Sequence, residues 1–219
     1  MRPMTVLIEA CVDSVESALA AKRGGADRLE LCENLAVGGT TPSAALIADV
    51  RARTGLPVMV MIRPRGGSYV YSVAEIDQMQ RDIDTVRACD IEGLVIGILD
   101  ARSGVDVART RELVLLAGPK AVTFHRAFDC VPDREVSLEA LIAAGVTRVL
   151  TSGGAPTALA GANALARLVA RAGRRIRIMA GGNVRGSNVH ELVATSGVTE
   201  VHARCELDEM QIRAIVNSF

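Results

Sequence analysis

The chain has 219 residues, 49% of them hydrophobic, and its 25 acidic residues balance 25 basic ones, for a formal net charge of +0. There is no basic surplus of the kind that nucleic acids or anionic membrane surfaces attract, so we expect neither partner. The length and the apolar content predict one domain over residues 1–219 with a sizeable core.

The sequence predicts neither a targeting segment nor a membrane span. The opening residues, MRPMTVLIEACVDS, contain no apolar core of a signal peptide. The longest apolar runs, VMVMI and LVIGIL, are too short to cross a bilayer. Five cysteines without framework spacing indicate reduced thiols. These features together predict a cytoplasmic protein.

Short apolar or β-branched runs alternate along the chain with stretches of helical periodicity. The predicted strands are 5–9, 27–32, 57–62, 93–99, 120–125, 147–151, 175–180 and 199–203. Helical periodicity extends over 13–23, 74–89, 106–117, 157–172 and 186–195. Asp13 and Ser43 occupy predicted N-cap positions. Glycines mark the predicted helix ends at positions 24, 25, 55, 118, 145 and 173.

Eight strand–helix units predict an α/β fold, and a chain of this length lies at the lower end of the TIM-barrel range. A doubly wound open sheet is the competing fold, but the G-x-G-x-x-G turn typical of it is missing after the first strand. Along 28–32, Arg28, Glu30 and Cys32 alternate with leucines, whereas a strand covered on both faces is nearly all apolar. We therefore predict a compact (β/α)8 barrel with a short C-terminal helix.

In such a barrel, residues at the C-terminal ends of the strands form the site. The segment VTFHRAFD places His125 at the end of the fifth strand, pointing inward. Glu9, Glu30 and His125 are candidates for acid–base catalysis. An alternative is an interior ion-pair network in which Arg28 and Arg63 neutralise the two glutamates.

Two Gly-Gly turns follow late strands. Ser152, Gly153 and Gly154 precede a helix expected near Pro156, and Gly181 and Gly182 precede one expected near Arg185. Glycine amides and helix N-termini bind anions, although such glycines also simply make tight turns. The other candidates for binding a small anionic or phosphorylated substrate are Arg28, Arg63, Arg126, Asp129 and His202.

The cysteines form a second group of candidates. Cys11 and Cys32 end neighbouring predicted strands, and Cys205 follows the last one, so three thiols can share one arc of the rim. Soft thiolates select Cu(I) or Zn(II), but no CxxC or CxC motif is present, and cysteine also packs as a small hydrophobe. Met59 and Met61 are interpreted as barrel filling.

Several long motifs, in this order, resemble the CutC family of copper homeostasis proteins: EACVDSVESALAAKRGGADRLELCENLAVGGTTPS, VMIRPRGG, VTFHRAFD, LTSGGAPTAL, IMAGGNV and EVHA. The resemblance implies a TIM barrel, a cytoplasmic protein of copper tolerance and trafficking, and Cu(I) ligation by Cys11 and Cys32. The family's polar barrel mouth also resembles that of an enzyme. An enzyme of unknown reaction acting on a small anionic or phosphorylated molecule is therefore the alternative, and a homodimer is the assembly left open.

Overall fold

A computed structural model describes residues 6–205 and 208–219 of the chain. Its eight parallel strands pair in sequence order, and the last closes on the first, so the barrel is complete. The strands are β1 Leu7–Val12, β2 Arg28–Leu31, β3 Val58–Met61, β4 Gly93–Ile96, β5 Ala121–Phe124, β6 Arg148–Thr151, β7 Arg177–Gly181 and β8 Glu200–Arg204. This closure confirms the predicted TIM barrel. Thr5, where the first strand was expected to begin, lies outside the described residues.

Helices pack around the barrel, one after each strand. They are α1 Val15–Gly24, α2 Ala44–Thr54, α3 Val73–Val86, α4 Val107–Ala117, α5 Arg134–Ala144, α6 Ala162–Ala172, α7 Val189–Ser196 and α8 Glu209–Val216. The last of these is the predicted short C-terminal helix. No helix in the described part of the chain is both long enough and apolar enough to cross a membrane.

The helix N-termini correct three predictions. Ser14, not Asp13, caps α1, because Ser14 and Ser17 satisfy each other's backbone N–H groups in a capping box. Ser43 caps α2 as predicted. The helices predicted over 157–172 and 186–195 begin later than expected, at Ala162 and Val189. The Gly-Gly turns therefore lead into irregular loops and not directly into helix N-termini.

The buried residues form two layers, one on each face of the strands. Leu29 and Leu31 belong to the large apolar core between strands and helices, together with the fully buried Phe124. Arg28 and Glu30, of the opposite parity, are buried away from that core, as the alternation predicts. The barrel interior therefore contains buried charged side chains, and it opens at the C-terminal ends of the strands.

Candidate functional site

A cavity of about 460 Å³ opens at the C-terminal mouth of the barrel. Seven of the predicted site residues line it: Cys11, Glu30, Arg63, His125, Arg126, Asp129 and His202. Sequence reasoning missed the other lining residues, which are Leu35, Gly38, Met61, Tyr69, Cys130, Leu150 and Arg204. The volume is large enough for a metal ion together with a small molecule.

Below the cavity, four charged side chains form what we call the ion network: Glu9, Arg28, Arg148 and Glu200. Arg28 contacts Glu9 through Nε at 2.5 Å and Glu200 through Nη2 at 2.8 Å, and Arg148 Nε lies 2.5 Å from Glu200. Burial alone would raise the pKa of Glu9, but a hydrogen bond with His202 and the charges of Arg28 and Arg148 hold that pKa well below its usual range. Glu9 is therefore an anion and not an acid catalyst at neutral pH.

The ion-pair alternative is confirmed for Glu9 with Arg28 and wrong for Glu30 with Arg63. Arg63 Nη1 donates to the carbonyls of Val37 at 3.1 Å and Gly39 at 3.0 Å, and its Nη2 donates to that of Gly67 at 3.1 Å. Among the described residues, Arg63 makes no ion pair with Glu30. Arg63 instead ties two loops together, and its buried Nε is left without a hydrogen-bond partner in the described part of the chain.

His202 links the ion network to Glu30. Its Nδ1 lies 2.9 Å from Glu9 Oε1, and its Nε2 lies 3.7 Å from Glu30 Oε2. Burial lowers the pKa of His202, but Glu30 and Glu9 outweigh this effect and raise it above its ordinary value. Glu30 Oε1 is buried and has no hydrogen-bond partner among the described residues. Burial raises the pKa of this carboxyl group.

Beside these groups lies what we call the sulfur cluster: the buried side chains of Cys11, Cys32, Met59, Met61 and Val95, four of which carry sulfur. It occupies the barrel interior next to the cavity, which Cys11 and Met61 also line. The methionines do fill the barrel as predicted, but they also lie against the two thiols. The cluster concentrates soft ligand atoms in one apolar place.

The thiol of Cys11 is held in its protonated form. A hydrogen bond with Cys32, burial and the charge of Glu30 raise the pKa of Cys11 well above its usual value. The expected third thiol on the same arc is a wrong prediction. Cys205 Sγ lies 3.7 Å from the carbonyl of Ser17, and Cys205 packs in the apolar core outside the strands, because its parity points it outward.

His125 follows β5 and begins a short 3-10 turn. Its Nδ1 accepts the Ala127 N–H at 3.1 Å, so the proton of the neutral ring is on Nε2. Gly97 leaves space for the ring, which a Cβ at that position would overlap, and the Tyr69 ring centroid lies 5.0 Å away. Burial and the charge of Arg63 lower the pKa of His125 to about 3. The ring is therefore a neutral hydrogen-bond donor at physiological pH.

The backbone amides after β6 donate to a carboxylate of the protein itself, that of Asp129. Asp129 accepts from the N–H groups of Ser152 and Gly154 at 3.0 and 3.1 Å and from Thr151 Oγ1 at 2.5 Å. Arg126 Nε contacts the same carboxylate at 2.8 Å. The expected anion subsite at Ser152–Gly154 is thus filled by Asp129, because the loop after β5 reaches across to the loop after β6.

The glycines after β7 allow close packing. A Cβ at Gly181 would overlap the Leu150 side chain, and the Gly182 carbonyl accepts the Ala158 N–H at 2.8 Å. With Gly153 at a φ of 72°, these positions fit the tight-turn interpretation that the sequence left open.

The fold and the mouth define a class: a (β/α)8 barrel protein with a candidate binding site, rich in sulfur, carboxylate and imidazole groups, at the C-terminal strand ends. The comparisons with known proteins then name the family. Residues 6–206 match the model of the CutC family, and the chain belongs to that family.

Named relatives agree with this assignment. A CutC family protein from Chromobacterium violaceum is 49% identical over 200 residues, covering 91% of this chain and 81% of the relative. The copper homeostasis protein cutC homolog of Homo sapiens is 46% identical over 196 residues, covering 90% and 72%. A CutC crystal structure from Streptococcus agalactiae superposes with a TM-score of 0.87 at 33% identity, covering 92% of this chain and 99% of that one.

Proposed function

We propose that this CutC-family protein binds and handles Cu(I), with the thiolates of Cys11 and Cys32 as ligands. The observation that carries the proposal is the sulfur cluster, in which two thiols and two thioethers meet inside the barrel. Cu(I) is a soft ion and prefers such ligands over oxygen. The description of the human relative as a copper homeostasis protein supports the same function.

The position of the thiols suits delivery and release of the ion. Cys11 lines the cavity, whereas Cys32 is fully buried behind it. An ion entering through the mouth meets Cys11 first and gains Cys32 as a second ligand away from water. Met59 and Met61 exclude water from this position and offer thioether sulfur as weak additional ligands.

Copper binding at this site exchanges a proton for the ion. Because hydrogen bonding to Cys32, burial and Glu30 raise the pKa of Cys11, its thiol is protonated at neutral pH without metal. Cu(I) must displace that proton, so the affinity is expected to rise with pH. The proposal includes a cytoplasmic location, since the thiols must stay reduced to bind Cu(I).

The test is a titration of the reduced protein with Cu(I) against a competing chelator such as bathocuproine disulfonate. Wild type should bind one equivalent, and Cys11→Ser and Cys32→Ser should each weaken binding by about 100-fold or more. Cys130→Ser is the matched control, because Cys130 is an exposed thiol at the rim of the same cavity. Equal affinity in all four proteins would refute the proposal.

The alternative, an enzyme acting on a small anionic molecule, has weaker support. The amides expected to hold the anion are occupied by Asp129, and both late helices begin beyond the Gly-Gly turns. Arg126 is also engaged with the same carboxylate. Two buried donors at the cavity, His125 Nε2 and Arg63 Nε, have no hydrogen-bond partner among the described residues and support a small anionic ligand. The sulfur cluster supports a metal ion more strongly.

A further inference from the structure

We propose that Cys11, Glu30 and His202 form a three-ligand site for a divalent metal ion of borderline softness, namely Zn²⁺. One ligand atom from each residue lies within 4.8 Å of the other two. Metal–ligand bonds of about 2.0–2.3 Å place tetrahedral ligand atoms about 3.3–3.8 Å apart, so side-chain shifts of about 1 Å complete the site. The proposal deepens the proposed function, and rests on it in part, because Cys11 serves both metals.

The orientation of His202 is the first argument. In metal sites, the ligating histidine usually engages a carboxylate through its other ring nitrogen, which fixes the tautomer and the ring plane. Here Glu9 Oε1 lies 2.9 Å from His202 Nδ1, and Glu9 is held in place by Arg28. The Nε2 lone pair is thereby directed toward Glu30, 3.7 Å away, with Cys11 alongside.

Glu30 supplies a second and independent argument. Its Oε1 is buried and has no hydrogen-bond partner in the described part of the chain, and the residue is only 3% exposed. The groups that act on this carboxyl group include the Cys11 thiol and the charge of His202, which are the other two proposed ligands. Buried acceptors are nearly always satisfied, so an orphaned oxygen in a built site indicates a missing partner. A cation between Glu30, His202 and Cys11 provides that partner.

The set of ligand types selects the metal. One thiolate, one imidazole and one carboxylate match Zn²⁺, which accepts all three, whereas Mg²⁺ and Ca²⁺ prefer oxygen alone. Cu(I) prefers the two thiols Cys11 and Cys32. All three proposed ligands line the cavity, which leaves a fourth coordination position open toward the mouth. The mouth therefore offers two overlapping sites that differ in their second ligand.

The experiment uses Co²⁺ as a coloured substitute for Zn²⁺ in the reduced full-length protein. Wild type should bind one equivalent, with a thiolate-to-cobalt charge-transfer band and the intense visible bands of tetrahedral Co²⁺. Glu30→Gln and His202→Gln should weaken Co²⁺ binding by more than about 100-fold, beyond the usual effect of losing a second-shell partner. Cys32→Ser should keep Co²⁺ binding and lose Cu(I) binding.

Several results would overturn the proposal. They are a wild-type spectrum without the charge-transfer band, Glu30→Gln and His202→Gln variants that bind Co²⁺ as wild type does, or a Co²⁺ affinity that falls with Cys32→Ser. Melting temperatures show whether each variant is folded. X-ray absorption on the Zn²⁺-loaded wild type needs no variant, and two sulfur ligands around zinc would also refute the three-ligand site. If Cu(I) binding fails in wild type while these signatures hold, the proposed function falls and this site stands.

Discussion

The buried histidine at the end of β5 gives the sharpest prediction about pH. Replacing His125 by Asn removes the titrating ring but keeps an oxygen that can accept the Ala127 N–H, which Nδ1 accepts in the wild type. The unfolded chain takes up a proton on His125 below pH 6.5, whereas burial and Arg63 prevent the folded protein from doing so until about pH 3. The free energy of unfolding of the wild type therefore falls as the pH drops from 6.5 to about 3, because only the unfolded chain binds the proton on His125 in that range.

The size of the effect follows from the two pKa values. Each pH unit in that window costs the wild type about 1.4 kcal/mol, so the free energy of unfolding should fall by about 2–3 kcal/mol from this group between pH 6.5 and 4.5. The His125→Asn variant should lose that much less over the same range, since other groups titrate alike in both proteins. Above pH 7 the difference between the two proteins should be constant.

The assay is urea unfolding of both proteins at several pH values between 7.5 and 4.5. His190→Asn is the matched control, because it makes the same substitution at an exposed position on α7. Parallel pH profiles for wild type and His125→Asn would show that the folded protein protonates His125 as easily as the unfolded chain. The neutral-donor description of the ring would then be wrong.

Three further predictions concern stability. Arg28→Met leaves two buried glutamates without their shared counter-ion and should lower the free energy of unfolding by about 3–5 kcal/mol. Arg23→Ala breaks an exposed ion pair and should lower it by less than about 1 kcal/mol. Equal losses in the two variants would contradict the ion network. Gly97→Ala places a methyl group where the His125 ring lies and should lower the free energy of unfolding, measured in urea, by about 1–3 kcal/mol. An unchanged stability would show that the ring does not lie against Gly97. Asp129→Ala leaves the backbone amides after β6 without their carboxylate, so inorganic phosphate should raise the melting temperature of this variant and not of wild type. An equal response in both proteins would show that the carboxylate does not fill an anion site.

The architecture could be predicted because its signals are local. Strand alternation along 28–32 put Glu30 and Cys32 inside the barrel, and a barrel brings every strand end to one mouth. Met59 and Met61 share one parity, and Met59 is paired in register with Glu30, so alternation could also have placed both methionines beside the thiols. Because methionine is a common core residue, the alternation of Met59 and Met61 in the sequence is interpreted as barrel filling.

The rest of the site depends on contacts between distant segments. Arg28 and Glu200 are 172 residues apart, and only closure of β8 on β1 brings them together. Asp129 reaches the amides after β6 through an irregular loop whose course no periodicity encodes. Tyr69 lies in the long loop after β3, and nothing in its sequence neighbours indicates that its ring packs on His125. Such contacts between loops are tertiary interactions that no short sequence motif indicates.

The depth of the sulfur cluster has a practical consequence for chemical modification. Cys32 is 0% exposed and Cys11 6%, whereas Cys130 is exposed at the rim of the same cavity. Reagents such as maleimides and peroxide reach accessible thiols first, so Cys130 should react well before the two buried ones. A fluorophore attached there would stand at the entrance of the barrel as a reporter of whatever enters, while the inner thiols remain unlabelled.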